Sequence, residues 1–412
     1  MLTLLCSLTS RPTFLQTRNT QLKEAFEFII NQNARCAVFL ADYVDDLLKN
    51  ALRENTEAEA DLRLDKFLIM FRFLLDKDIF ENYYKQALSK RLLGGKSASD
   101  DLEKSMIGKM KAECGATYVT NMEGMFTDMQ LSKDVVEAFK ESPEAGQLPP
   151  QVRLEMSILT AGFWPIPSVP PCSLPTPLIT DCVRIFNDYY ARKFEGRKIV
   201  WVTNHGSAEL RASFPEHNGR AKHSKHFTVT TYQMAILMQY NRHDEFSFKA
   251  IQAATGISST VDLKRHLLSL CTRKAPLLIK DSKVKGISEN DSFSLNRAFQ
   301  SKQMHVKIPM IALKEVSGPD GDGSPSAGDG AKRAISAVVE KDRCILVEAS
   351  IVRIMKARKT MLHHELVAEV VRQVGGRFNP EPAFIKKRIE TLLEREYLAR
   401  DAEDGKRYVY LA

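Results

Sequence analysis

The closing stretch IKKRIETLLEREYLARDAEDGKRYVYLA, residues 385–412, decides the reading of the fold. Apolar residues recur at helical spacing through Pro382–Glu396. The period then shortens to the alternation of Tyr397–Arg400 and Tyr408–Leu411, two strands folded back across Asp404–Gly405. Upstream, His363–Val374 predicts another helix, set off by Gly375–Gly376 and Pro380, and a long helical pattern runs from about 334 to 359. Helices that end in a hairpin make one compact block of residues 334–412.

The same order occurs earlier. Gln233–Tyr240, Phe248–Ala254 and, after Gly256, Val261–Leu270 predict three short helices, with a strand at Leu277–Ile279. Both blocks have the pattern of a winged helix. Around the first, strands are predicted in Lys198–Phe214 on either side of Asn204–Gly206, and at Phe227–Val229, Phe293–Leu295 and His305–Leu313. Nearer the start, helical stripes cover residues 21–50 with a break near Asn31–Asn33, then Leu64 to Tyr83, a helix capped by Ser99 or Asp100, and 131–141. Helices without intervening strands predict a bundle. Proline and turn residues interrupt 142–177, and the Gly, Ser, Pro and Asp of 316–333 read as a flexible linker.

A chain of 412 residues exceeds what one hydrophobic core supports, so two to four domains are expected. Apolar content of 44% with 27% charged residues excludes a largely disordered chain. The surplus of eight positive charges is too thinly spread to define a nucleic-acid footprint. No apolar run reaches the roughly 20 residues of a membrane span, and MLTLLCSLTS makes a poor signal peptide. Seven scattered cysteines without a CxxC pair point away from disulfides and structural zinc and toward a reducing compartment, the cytoplasm and nucleus.

The search for chemistry finds no phosphate loop, GxGxxG, HExxH or GxSxG, so no catalytic residue, metal ligand or cofactor is predicted. Gly94-Gly95-Lys96-Ser97 reads as a helix terminus, His217, His223 and His226 as an exposed polar loop, and Cys114 as a structural thiol. In the last helix of the terminal block, Lys386, Lys387 and Arg388, with Arg377 and Arg395 nearby, could face phosphate. Glu381, Glu390, Glu394 and Glu396 oppose that reading. One lysine stands out: at 100° per residue, Lys356 falls in line with Ile345, Ala349 and Val352.

KDIFENYYKQALSKRLLGGKSASDDLEKSMIGKMKAECG (77–115), EGMFTDM (123–129), LTAGFWP (159–165), TTYQMAILMQYN (230–241), IVRIMKARK (351–359) and the ending quoted first resemble the C-terminal half of a cullin. Cullins are the scaffolds of cullin–RING ubiquitin ligases. GSAELRASF (206–214), the His-rich stretch before TTYQMAIL, and EREYLAR (394–400) look most like the branch that uses BTB-domain adaptors. The resemblance implies a mainly α fold with small sheets. Its parts would be the end of the N-terminal helical repeats at 1–60, a four-helix bundle at 61–180, an α/β region with the first winged helix at 181–315, the linker 316–333, and a modifier-accepting winged helix at 334–412.

It further implies a non-catalytic scaffold. A RING-box protein would add a strand to a platform containing Ile199, Trp201, Leu210, Ala212, Phe214, Val306 and Ile308, and would carry the zinc and the ubiquitin-conjugating enzyme. Lys356, in IVRIMK, would form an isopeptide bond to the ubiquitin-like cullin modifier, put on and taken off by its own machinery. Lys85, Lys90 and Arg91 would line a groove for the conjugating enzyme's acidic segment, although a solvated helix face explains them equally well. Most of the N-terminal repeats expected of a complete cullin do not occur here, so a BTB adaptor would be a partner only of a longer chain. The alternatives are a truncated cullin unable to recruit substrate and a winged-helix nucleic-acid-binding protein.

Overall fold

In a computed structural model the described residues are 12–33, 35–54, 56–166, 172–173, 177–214, 223–282, 286–311, 327–401 and 404–411. They form two compact units, one of residues 1–132, 157–165 and 332–412, the other of 133–156 and 166–331.

The first unit opens with α1 (Pro12–Asn31), α2 (Cys36–Glu54), α3 (Glu57–Arg72), α4 (Lys77–Gly94) and α5 (Asp100–Cys114), followed by α6 (Ala116–Lys140), whose last residues belong to the other unit. Local chemistry sets the ends. Asn31 closes α1 and ties it to the α3–α4 turn, its Nδ2 donating to the Phe73 carbonyl at 2.8 Å and its Oδ1 accepting from the Leu75 amide at 3.0 Å. Thr56 and Glu59 cap the start of α3 reciprocally. Gly95 ends α4 with φ 57°, a left-handed conformation that glycine takes without a Cβ penalty. Ser99 caps α5 by accepting from the Asp101 and Leu102 amides. Inside the bundle Phe67, Phe71, Phe80 and Tyr84 are buried, with Phe71 and Phe80 ring centres 4.9 Å apart.

The same unit contains the terminal block: α11 (Ala327–Arg358), β7 (Thr360–Leu362), α12 (His363–Val374), α13 (Pro382–Glu394), β8 (Leu398–Arg400) and β9 (Arg407–Tyr410). The strands form an antiparallel sheet in the order β7-β9-β8. Its core joins Val347, Ile351, Ile354 and Met355 of α11 to Leu366, Val370, Ile385, Ile389, Leu398 and Tyr408. This is the winged helix expected from the closing stretch. The long helix begins at Ala327 rather than near 334, so 327–333 of the expected linker is helical, and 316–326 lies outside the described residues.

In the second unit α7 (Pro177–Lys193) precedes β1 (Ser207–Phe214) and β2 (His223–Thr230). α8 (Thr231–Gln239), β3 (Glu245–Ser247), α9 (Phe248–Thr255), α10 (Thr260–Leu270), β4 (Leu278–Lys280), β5 (Ser292–Leu295) and β6 (His305–Lys307) follow. β1 pairs antiparallel with β2, and β2 parallel with β6. A second sheet runs β3-β5-β4 and completes the first winged helix over α8–α10. One core serves both sheets, with Phe214, Phe227, Val229, Phe248, Leu263, Leu267 and Phe293 among its members.

Two expectations change here. Lys198–Val202 is not a strand, since among the described residues no backbone hydrogen bond engages it. The His-rich stretch is not a loop where it is described: residues 223–230 are β2, and the His226 ring stacks on His305 of the neighbouring strand at 4.9 Å.

Candidate functional site

Lys356 lies in the last turn of α11. Val347, Ile351, Ile354 and Met355 turn one face of this helix into the core, while Ile345 is 55% exposed and Ala349 and Lys356 are also exposed. Of the stripe that runs through Lys356, Ile345, Ala349 and Lys356 are therefore outward, while Val352 is half-buried and packs against the core. No ion pair engages the Lys356 ammonium among the described residues, and the helix stops just beyond it, where Lys359 takes φ 66° and its carbonyl accepts from the Tyr410 amide at 2.8 Å. The amine is presented to solvent on a rigid stem.

The expected strand platform splits into two kinds of residue. Phe214, Val306 and Ile308 are buried in the core of the second unit, with Leu210 and Ala212 packed against it, so their side chains shape the sheet and are not open to a partner. Ile199 and Trp201 are half-buried, with Trp201 Nε1 donating to Asn187 Oδ1 at 2.9 Å and its ring edge-on to Phe186. Alternating with them, Val200 is 64% and Val202 42% exposed. The segment alternates in and out as a strand does, with no backbone hydrogen bond among the described residues, and β1 is an end strand of its sheet among them. The outward alternation of Val200 and Val202 is hidden in sequence because Ile199, Val200, Trp201 and Val202 are all apolar.

The three basic residues of α4 part company. Arg91 is fully buried, its Nε 2.6 Å from Glu103 Oε1 and its Nη1 2.5 Å from Asp45 Oδ1, so it cannot line a groove. Burial alone would depress its pKa, but Glu103 and Asp45 outweigh that and hold the guanidinium charged. Lys85 is half-buried and paired with Glu81 at 3.3 Å. Only Lys90 is exposed.

The cations counted toward nucleic-acid binding are mostly engaged as well. Arg388 and Arg395 both reach Glu348, and Arg377 donates to the Thr117 carbonyl. Lys386 and Lys387 remain exposed. Burial pushes the Cys114 thiol up to about 11, far from a nucleophile's range. Among the described residues no three His, Cys, Asp or Glu side chains are grouped to hold a metal ion, and no helix is long and apolar enough to cross a membrane. Sequence reasoning missed Arg343, which forks onto Asp76 and Asp78; a single arginine within a mixed helix gives no periodic signal.

Residues 8–136 match the cullin alpha solenoid domain, 158–299 the cullin alpha+beta domain, and 342–404 the cullin protein neddylation domain. Cullin-3 of Dictyostelium discoideum is 38% identical over 425 residues, covering 95% of this chain and 53% of that protein. Cullin-3A of Arabidopsis thaliana is 41% identical over 400 residues, covering 96% of this chain and 52% of the relative. Cullin-4A of Mus musculus is 40% identical over 394 residues, covering 95% and 49%. The chain thus spans about half the length of the curated relatives it matches. With three successive cullin domains in order and this identity along nearly its whole length, the chain belongs to the cullin family and is similar to the cullin-3 C-terminal region.

Proposed function

We propose that this chain is a non-catalytic scaffold of a cullin–RING ubiquitin ligase. It would bind a RING-box protein through the second unit and accept a ubiquitin-like modifier on Lys356. The observation that carries the reading is Lys198–Val202, an alternately exposed segment with no backbone hydrogen bond among the described residues, just before the sheet in which β1 is an end strand among the described residues. An incoming strand would satisfy backbone groups on such a segment and seat its side chains against Val200 and Val202.

The outward-facing, unpaired Lys356 in a match to the neddylation domain supports its role as acceptor. Ubiquitin transfer would then follow from proximity, with the conjugating enzyme held by the RING-box protein, which would also hold the zinc. The machinery that attaches and removes the modifier would be further partners, a BTB-type adaptor would be one in a longer chain, and the cytoplasm and nucleus would be the compartments. Lys90 and, less openly, Lys85 are what remains of the proposed docking groove for the conjugating enzyme.

The test is co-purification of the intact chain with a RING-box protein, followed by mass spectrometry after incubation with the modifier and its conjugating enzymes. Capture of the RING-box protein and a gain of one modifier that is lost in Lys356→Arg are expected. A chain that captures no RING-box protein overturns the proposal.

A further inference from the structure

Alternation along its strands gives the β1-β2-β6 sheet two faces. Leu210, Ala212, Phe227 and Val306 turn to the core of the second unit. The residues between them turn the other way. Glu209 and Arg211 of β1 and His305 and Lys307 of β6 are exposed, and His226 of β2 is half-buried. Register sets three of these in one row across the strands, with Arg211 opposite His226 and His226 opposite His305. The next row holds Glu209, Thr228 and Lys307. Neighbouring strands lie about 4.8 Å apart, so each row spans about 10 Å.

At the centre of the first row is an imidazole pair. The His226 and His305 ring centres are 4.9 Å apart, with their planes inclined by 25°. Among the described residues no hydrogen bond or ion pair engages either ring, and no ion pair engages Arg211, Glu209 or Lys307. A histidine ordinarily changes charge between about pH 5 and 8. With both rings neutral, Arg211 and Lys307 less Glu209 leave this face one net positive charge, and protonating both rings raises it to three. Lys225 of β2 stands opposite Ala212 and falls on the other face. Each imidazolium is opposed by the other ring's charge and by Arg211, and a bound anion relieves that repulsion. Anion binding and proton uptake are therefore linked.

The arrangement also selects among anions. A single phosphoryl group would meet only part of a row about 10 Å long, whereas carboxylates on alternate residues of an extended chain recur roughly every 7 Å. A nucleic-acid strand would meet Glu209 amid the cations, and neither row offers it a Phe, Tyr or Trp for base stacking. Arg211 and Lys307 repel a metal cation.

We infer that this sheet face docks an acidic peptide segment of a partner protein, with its carboxylates on Arg211, His226, His305 and Lys307, and that binding tightens as the histidine pair takes up protons. The face belongs to the second unit, so Lys85 and Lys90 of α4 have no part in it.

Calorimetric titration of the intact chain with a blocked octaglutamate peptide tests the inference. Binding is expected to be at least tenfold tighter at about pH 5.5 than at about pH 7.5, where the peptide's carboxylates are ionised throughout. Titrations at about pH 6.5 in two buffers of different ionisation enthalpy should show protons taken up on binding. His226→Gln with His305→Gln should abolish that uptake and reduce the pH response to less than twofold. Arg211→Gln with Lys307→Gln should weaken binding at least tenfold at both pH values. The proton-uptake measurement is made on the native chain, so it stands even where a variant folds poorly. Absence of binding, binding that the Arg211→Gln, Lys307→Gln chain retains in full, or a pH response that survives the loss of both histidines overturns the inference. Tighter binding of a phosphoserine peptide of the same length, or of a single-stranded oligonucleotide, also overturns it, because the ligand would then be of another class. None of these outcomes depends on capture of a RING-box protein.

Discussion

Arg91 of α4 and Glu103 of α5 are both closed to solvent and share two hydrogen bonds, Nε to Oε1 at 2.6 Å and Nη2 to Oε2 at 2.9 Å. The remaining guanidinium nitrogen reaches Asp45 of α2, while Ser97 donates to Glu103 Oε1 at 2.8 Å. One arginine thus ties three helices of the bundle, and the polar atoms around it are satisfied.

Removing one partner of this pair strands the other. Arg91→Ala is expected to destabilise the first unit by about 3–5 kcal/mol. Arg91→Met combined with Glu103→Leu costs much less, since two apolar groups replace two buried charges. Urea unfolding followed by the fluorescence of Trp164, which is buried in the same unit, separates the two outcomes. Equal losses for the single and double variants would remove the argument.

A buried histidine makes the second unit sensitive to acid. His266 of α10 is 7% exposed, with Nδ1 3.1 Å from Thr230 Oγ1 and its ring edge-on to Tyr232. Burial lowers its pKa to about 4; Asp262 opposes this and Arg265 adds to it. The unfolded chain takes up a proton at the ordinary value of 6.5 and the folded chain does not. The stability this group contributes is therefore complete above pH 6.5 and is lost as pH falls toward 4, by about 3 kcal/mol in all. Melts of the native chain and of His266→Gln between pH 4 and 8 should differ by a slope confined to that window.

Much of the architecture was legible because it rests on local rules. The helix break at Asn31–Asn33, the Ser99 cap, the turn at Asp404–Gly405 and both winged helices follow from spacing and turn chemistry. The errors arise where a side chain's environment is set by residues far along the chain. Arg91 reads as one more cation on a basic helix until Glu103 and Asp45 are folded onto it. α11 carries two apolar stripes, and only the positions of α12 and α13 decide that Ile351 and Met355 face inward and Ile345 with Lys356 outward. Lys198–Val202 has the composition of a strand, but a strand exists only where a neighbour supplies its hydrogen bonds.

Gly124 in α6 marks a close approach. A Cβ added there would sit 2.5 Å from the Phe163 ring, in the 157–165 segment that Asp128 holds by accepting from the Thr160 amide and Trp164 Nε1 at 2.7 and 2.8 Å. Glycine to alanine within a helix ordinarily stabilises by about 1 kcal/mol. Here Gly124→Ala is expected to destabilise by roughly 1–3 kcal/mol through overpacking. In a Phe163→Ala background the same change should be neutral or favourable, and thermal melts of the four chains provide the cycle.

Val200 and Phe214 would, under the proposed function, separate recognition from folding in the second unit. Phe214 is 5% exposed, with its ring 5.5 Å from that of Phe299, whereas Val200 is 64% exposed. Phe214→Ala removes core volume and should cost about 3–5 kcal/mol, so under the proposed function it would lower capture of a RING-box protein only because less of the chain is folded. Val200→Glu with Val202→Glu alters groups already in water, so unfolding followed by Trp201 fluorescence should shift by no more than about 0.5 kcal/mol. If an incoming strand seats on this segment, the same pair of glutamates should weaken capture at least tenfold, because its seating would bury two carboxylates without partners. Full capture by the Val200→Glu, Val202→Glu chain would show that strand addition, if it occurs, uses another edge.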